Sequence, residues 1–179
     1  TTLPIIESLK KKAKQGIDVY ILVDGFGSRD FPETTIIELE QLGINFKLFS
    51  PPFSRNLDHL GRRLHSKILV IDGTDAITGG INLSSKFIAP TDSPPWLDFS
   101  CYIQGQEVHS IIKKHYSLYS RYLPELIRKH FKINSIKNLS SNCLIKTNIN
   151  DWMRLKNEIY TSYIQAMQKA QTQIVLVAP

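Results

Sequence analysis

Apolar and polar positions alternate along the chain with two different periods, and these predict helices and strands in turn. Residues 4–15 place apolar side chains at helical spacing and end just before Gly16. The apolar runs 17–25 and 44–52 predict strands, and 32–43 predicts a second short helix between them. Helices that alternate with strands are typical of layered α/β architectures.

The same alternation continues in the middle of the chain. Ile68–Ile71 form an apolar run that Asp72-Gly73 closes with a turn signal, and 75–80 is the predicted hairpin partner of a buried strand. A further strand is predicted over 97–105 and a helix over 106–123. We therefore predict the α/β class, with a layered, mixed β-sheet flanked by helices.

The last part of the chain has the same pattern after a polar break. Residues 132–142 are rich in Asn and Ser and predict a linker. Residues 151–171 predict one amphipathic helix, with a core-packing face preferred over a membrane-surface role, and 172–179 predict a buried strand. Helix followed by strand resembles the opening of a second α/β unit, so we expect a piece of a longer protein.

Composition adds a few constraints. The 179 residues suit one domain with a substantial core, and no apolar run is long enough to span a membrane. Cys101 and Cys143 have no ligand spacing, which favours a reducing compartment and excludes thiolate metal sites. The net charge of +6 suggests anionic partners, although its clusters over 9–16 and 127–137 are more typical of solvated helix faces.

Polar residues whose side chains can take part in a reaction occur where an apolar hairpin has no structural need of them. On an extended strand His65 and Lys67 share one face while Ser66 points away. Asp72 is an odd number of residues from His65, which makes it a structural residue of the turn.

The returning strand completes this group. The pair Gly79-Gly80 indicates close approach of the backbone, and Asn82 and Ser84 can share a face. If the two strands pair across the turn, an imidazole, a fixed cation, an amide and a hydroxyl meet at one sheet edge. This combination suits a phosphate.

The spacing of these residues resembles the HKD motif of the phospholipase D superfamily: His65-Ser66-Lys67, then Asp72, then Gly79-Gly80-Ile81-Asn82. Flanking stretches such as "GIDVYILVDG", "LEQLGINFKLFSP" and "WLDFSCYIQGQEV" are similar to those around the first motif of cardiolipin synthase-like members. The resemblance covers nearly the whole chain. It implies a first phospholipase D/nuclease-like half over 1–131 that lacks its opening strand, the linker 132–142, and the start of a second half over 143–179.

Family members transfer or cleave phosphodiesters through a phosphohistidine, without metal or other cofactor, using one histidine from each half. The resemblance implies that His65 is the nucleophile, that Lys67 and Asn82 bind phosphate with Ser84 a weaker candidate, and that Asp98 orients the imidazole. It also places Asp72 in the catalytic motif, although parity assigns Asp72 to the turn.

The resemblance leaves function open in part. The favoured interpretation is a phosphodiesterase or phosphatidyltransferase that acts on phospholipids at an anionic membrane, in a cytoplasmic or membrane-associated bacterial protein. The alternatives are a family nuclease that works as a homodimer on nucleic acid, and a catalytically silent half-domain. The partners implied are a phosphodiester substrate and either a second HKD half or a second copy. We also predict that 172–179 takes the missing strand's place, in its own chain or in a neighbour.

The remaining polar candidates have simpler interpretations. Asp24, which ends the strand "ILVDG", is predicted to cap a turn, with lining of the cleft as the alternative. His59 is a weak candidate for the site. His109, His115 and His130 are expected on helix faces.

Overall fold

The fold is described from a computed structural model, which describes residues 3–51, 63–84, 87, 94–124, 143–151 and 155–176. Helices and strands alternate over most of this range, as the sequence pattern predicts. In chain order the elements are α1 (Leu3–Lys14), β1 (Tyr20–Asp24), α2 (Glu33–Gln41), β2 (Asn45–Phe49), β3 (Lys67–Ile71), β4 (Asp75–Gly79), β5 (Ser100–Gln104), α3 (Glu107–Tyr122), β6 (Asn150–Asp151), β7 (Lys156–Asn157) and α4 (Glu158–Lys169).

The first four elements form one unit around a parallel strand pair. Strand β1 pairs with β2 from Tyr20↔Asn45 to Asp24↔Phe49. Both helices end in the same way: the N–H groups of Gly16 and Gly43 and of the residues that follow them donate to carbonyls of the last helical turn. These hydrogen bonds turn the chain back toward the strands, and the apolar faces of both helices pack on a core of Val19, Leu39, Ile44 and Phe46.

Strands β3, β4 and β5 form a second, antiparallel sheet in that order. Asp72 and Gly73 both have left-handed φ angles, of 51° and 72°, and the N–H of Thr74 donates to the carbonyl of Ile71. This geometry matches the turn of a tight hairpin and confirms the turn that the Asp-Gly pair predicts. In the resulting register Lys67 lies opposite Gly79.

Helix α3 covers one face of this sheet. Ile68 and Val70 point toward it and pack against a buried cluster that includes Val108 and Ile111. Leu69 and Ile71 alternate to the opposite face, where they are 48% and 45% exposed. The prediction of a buried strand therefore holds for one face only, because α3 packs against only that face.

The predicted α/β class is confirmed, with one refinement of the sheet. Parallel and antiparallel pairing are both present, but among the described strands they belong to separate sheets, β1-β2 and β3-β4-β5. Each sheet has its own buried cluster. The mutual placement of the two sheets therefore depends on contacts other than shared strand pairing.

The end of the chain departs from the prediction in three ways. The helix begins at Glu158 rather than at residue 151, since Asn150–Asp151 pair with Lys156–Asn157 and the Asn150 side chain accepts a hydrogen bond from the N–H of Ile159. The predicted core-packing face is also wrong, because α4 contributes no buried residue.

The third departure concerns the predicted terminal strand. Residues 172–176 form no strand and are exposed. The prediction that this segment pairs within its own chain is therefore wrong for residues 172–176. Pairing with a neighbouring chain stays a prediction.

Several sequence predictions fall outside the described residues, namely the linker 132–142, the whole basic cluster 127–137, His59 and His130. The other basic cluster does occupy a solvated helix face, with Lys11, Lys12 and Lys14 exposed in the last turn of α1. Cys101 and Cys143 form no disulfide, and both are exposed. Within the described parts of the chain, no helix is both long enough and apolar enough to cross a membrane.

Candidate active site

The topology of the second sheet brings most of the predicted site residues to one end of it. Because β3 and β5 run in the same direction and β4 runs against them, Lys67, Gly79 and Ser100 stand opposite one another in the register. His65 lies just before β3, Asn82 just after β4, and Asp98 just before β5. These three residues therefore enter or leave the sheet at the same end.

The H-x-K segment has the alternation that its sequence predicts. Ser66 points toward α3, where its hydroxyl lies 3.4 Å from Nε2 of His115. Lys67 points the other way, and its ammonium donates to the backbone carbonyl of His65 over 2.8 Å. His65 itself is exposed. The fixed positive charge is thus held at the backbone of the residue that carries the exposed imidazole.

The two glycines that follow Thr78 provide the close approach that the sequence predicts. A Cβ at Gly79 would lie 2.3 Å from the carbonyl oxygen of Phe99, and a Cβ at Gly80 would lie 2.4 Å from Oδ1 of Asp98. The Asp98 carboxylate therefore rests directly on the Gly80 backbone and also accepts a hydrogen bond from the N–H of Phe99. Gly80 is the residue that lets this carboxylate reach the strand end.

Asn82 and Ser84 do not share a strand face. Strand β4 ends at Gly79, and the N–H of Ser84 donates to the carbonyl of Asn82, so the chain turns between them. The premise that their side chains project together is wrong, because it requires an extended backbone. Asn82 stays exposed at the site end of the sheet, and Ser84 is half-buried.

Asp72 is not brought into this group. It lies in the turn at the far end of the hairpin, separated from His65 by the whole of β3, about 20 Å along an extended chain. Its position agrees with the structural role that parity assigns. A direct catalytic role of Asp72 stays a prediction. Its distance from the other site residues does not support that role.

Asp24 connects the first sheet to the segment that carries His65. One carboxylate oxygen accepts from the N–H of Leu64, and the other accepts from the N–H of Gly27 and from Nε of Arg63, all within 2.7–2.8 Å. The Arg63 guanidinium also lies over the Phe26 ring, 4.5 Å from its centroid. The hydrogen bond from Gly27 is the turn cap that the sequence predicts. The sequence does not predict the two contacts with residues 63 and 64.

The charge of Asp24 is stabilised by these donors. Partial burial alone would raise the pKa of Asp24, but the hydrogen bonds from Leu64, Gly27 and Arg63 outweigh it and hold the pKa below its usual range. A carboxyl whose pKa is lower in the folded state stabilises that state at pH values above its unfolded pKa, about 3.9. This stabilisation is lost as the pH falls through the folded-state pKa.

We therefore expect acid to destabilise the native protein more than an Asp24→Asn variant. The free energy of unfolding, measured by urea denaturation between about pH 6 and pH 2, should fall more steeply for the native sequence below about pH 4. Asp75 and Glu158 also have lowered pKa values and remain in both proteins, so they cancel in the comparison. Parallel curves for the two proteins would contradict the prediction.

His115 is a second contact that sequence reasoning missed. Its Nδ1 lies 2.9 Å from the carbonyl of Ile111, which can only accept, so Nδ1 carries the proton in the neutral ring. Nε2 is then the acceptor that faces the Ser66 hydroxyl. The sequence places His115 on a helix face, and only the packing of α3 on β3 shows that this face meets the H-x-K segment.

An α/β domain with an H-x-K strand, a Gly-Gly return strand and a following Asn at one sheet end defines a phospholipase D-type domain. No group of three or more His, Cys, Asp or Glu side chains suited to a metal ion occurs in the described ranges. A family model described as "Cardiolipin synthase, PLD-like domain" matches residues 1–90, about half of the chain. The chain belongs to this family.

Curated relatives carry the same name. Over 109 residues, 60% of its length, the chain is 35% identical to a cardiolipin synthase of Halalkalibacterium halodurans. Over 108 residues, 59% of its length, it is 32% identical to cardiolipin synthase B of Salmonella typhi. It is 27% identical to the major cardiolipin synthase ClsA of Bacillus subtilis (strain 168) over 97% of its length. The chain spans only 22%, 26% and 36% of these three relatives. No solved structure gives a significant match.

Proposed function

We propose that the protein carrying this chain is a phosphatidyltransferase or phosphodiesterase of the phospholipase D superfamily, acting on phospholipids through a phosphohistidine at His65. One observation carries the proposal: His65, Lys67, Asn82 and Asp98 lie at one end of a single three-stranded sheet. They come from three separate segments of the chain. This convergence supplies a nucleophile beside groups that can hold an anionic phosphate.

The chemistry follows from the groups present. A ring nitrogen of His65 attacks phosphorus, a nitrogen–phosphorus bond forms, and the bond to the leaving alcohol breaks as that alcohol takes a proton from an acid. An acceptor alcohol or water then attacks phosphorus and gives its proton to the conjugate base of that acid, and the bond to His65 breaks. The Lys67 ammonium and the Asn82 amide hold the non-bridging oxygens throughout. The acid in the first step is a second histidine, supplied by another half or another copy.

The surroundings of the site support a lipid substrate. Large apolar side chains adjoin the site residues in sequence and are exposed: Leu83 is 67%, Leu97 85% and Phe99 73% exposed. Exposed apolar side chains at these positions give acyl chains a surface to contact. The names of the curated relatives point to the same substrate class.

The test is phosphatidyl transfer by the complete protein in vesicles of phosphatidylglycerol, with a single-stranded oligonucleotide as the competing substrate. Formation of a lipid with two phosphatidyl groups and an intact oligonucleotide support the proposal. Cleavage of the oligonucleotide alone would instead establish the nuclease alternative. Absence of both reactions, in a protein that is folded and contains both halves, would favour the silent half-domain.

A further inference from the structure

We propose that Asp24 is a positioning residue for His65, an inference that rests on the proposed function. Asp24 ends β1, in a different sheet from the H-x-K segment, and its side chain is only 13% exposed. Its Oδ1 accepts from the N–H of Leu64, the residue directly before His65. It therefore holds the backbone from which the imidazole projects.

The contact is specific for a carboxylate. Three donors converge on it, with Leu64 on one oxygen and Gly27 and Arg63 on the other. An amide in the same position would turn its NH₂ group toward at least one of these donors, whichever way it was oriented. Substitution by Asn therefore keeps the size of the side chain but breaks the arrangement.

Arg63 reinforces the same arrangement. Its guanidinium is held between the Asp24 carboxylate and the Phe26 ring. Because both residues 63 and 64 are tied to the end of β1, the chain enters β3 along one defined path. The two sheets have separate cores, so this contact fixes the position of His65 relative to the first sheet.

The experiment compares Asp24→Asn with Asp30→Asn in the complete protein. Asp30 is the control because it lies in the loop that follows Asp24 and its side chain is 92% exposed. We expect Asp24→Asn to lower kcat for bis(p-nitrophenyl) phosphate about 10- to 100-fold, since small misplacements of a reacting group have effects of this size. KM should stay nearly unchanged, because ground-state binding of phosphate does not require an aligned nucleophile. Asp30→Asn should leave both constants unchanged.

Two further measurements separate positioning from general stability. Hydrogen exchange at the Leu64 amide should become faster in Asp24→Asn, whether or not the protein is active. Arg63→Gln, which removes one donor and keeps the Leu64 contact, should lower kcat to a smaller extent.

An unchanged kcat in Asp24→Asn, alongside an inactive His65→Ala variant, would overturn the inference and leave the proposed function standing. Unchanged Leu64 exchange would overturn it independently of activity. Full activity in His65→Ala would instead refute the proposed function itself.

Discussion

Replacing His65 by alanine is expected to lower phosphodiester cleavage by about 10⁴-fold or more, since loss of a covalent nucleophile has effects of at least this order. The imidazole is exposed at the strand entrance, so its removal leaves no cavity in either core. The folded state should therefore be retained. The measurement is hydrolysis of bis(p-nitrophenyl) phosphate by the complete protein, with the thermal midpoint recorded for each variant.

The matched control is His109→Ala, which removes a histidine from α3 with no described contact to the H-x-K segment. It should keep full activity. In the native protein, rapid quenching should give a phosphorylated species whose label maps to the peptide containing His65. A His65→Ala variant that still forms this species would show that the nucleophile lies elsewhere.

Substituting alanine for Gly79 and for Gly80 is expected to separate stability from activity. At Gly79 the new Cβ would lie 2.3 Å from the carbonyl oxygen of Phe99 and 2.6 Å from the Cα of Ser100, and neither backbone atom can move without opening the β4–β5 ladder. We expect Gly79→Ala to lower the free energy of unfolding by about 1–3 kcal/mol. Urea denaturation measures this loss.

At Gly80 the new Cβ would meet the Asp98 carboxylate instead, at 2.4–2.5 Å. A side chain can rotate away at small cost, so stability should change by less than about 1 kcal/mol. The resemblance implies that Asp98 orients His65, so displacing its carboxylate should lower kcat about 10- to 100-fold.

A double-mutant cycle checks that the effect of Gly80→Ala passes through Asp98. In an Asp98→Ala background the further change Gly80→Ala should have little effect on kcat, since the group that it displaces is already gone. Additive losses would mean that Gly80 acts on the site by another route. Equal destabilisation by both glycine variants would contradict the distinction between backbone and side-chain neighbours.

The local sequence pattern was sufficient to predict much of the fold. The helix ends at Gly16 and Gly43 and the Asp72-Gly73 turn follow from chemistry within a few residues, and the structure has each of them where the sequence predicts it. The site residues of the H-x-K segment were also predictable, because alternation along a strand needs no knowledge of distant contacts.

The failures share a physical cause. The predicted helix over 151–171 has suitable periodicity but begins only at Glu158. Hydrogen bonds between Asn150 and Ile159 and between Ile149 and Glu158 fix this later start. The premise that Asn82 and Ser84 share a face failed because strand pairing stops at Gly79. In both cases the outcome depended on where backbone pairing begins or ends, which the periodicity of the sequence does not specify.

The sequence by itself determined the hairpin, its turn and the spacing of His65, Lys67, Gly80 and Asn82, because short-range backbone preferences specify these features. Only the tertiary structure decided which distant groups support them. Asp24 is 40 residues from Leu64, and the Ser66–His115 pair is separated by 49 residues. Such contacts depend on how sheets and helices pack, and no periodicity in the chain encodes that packing.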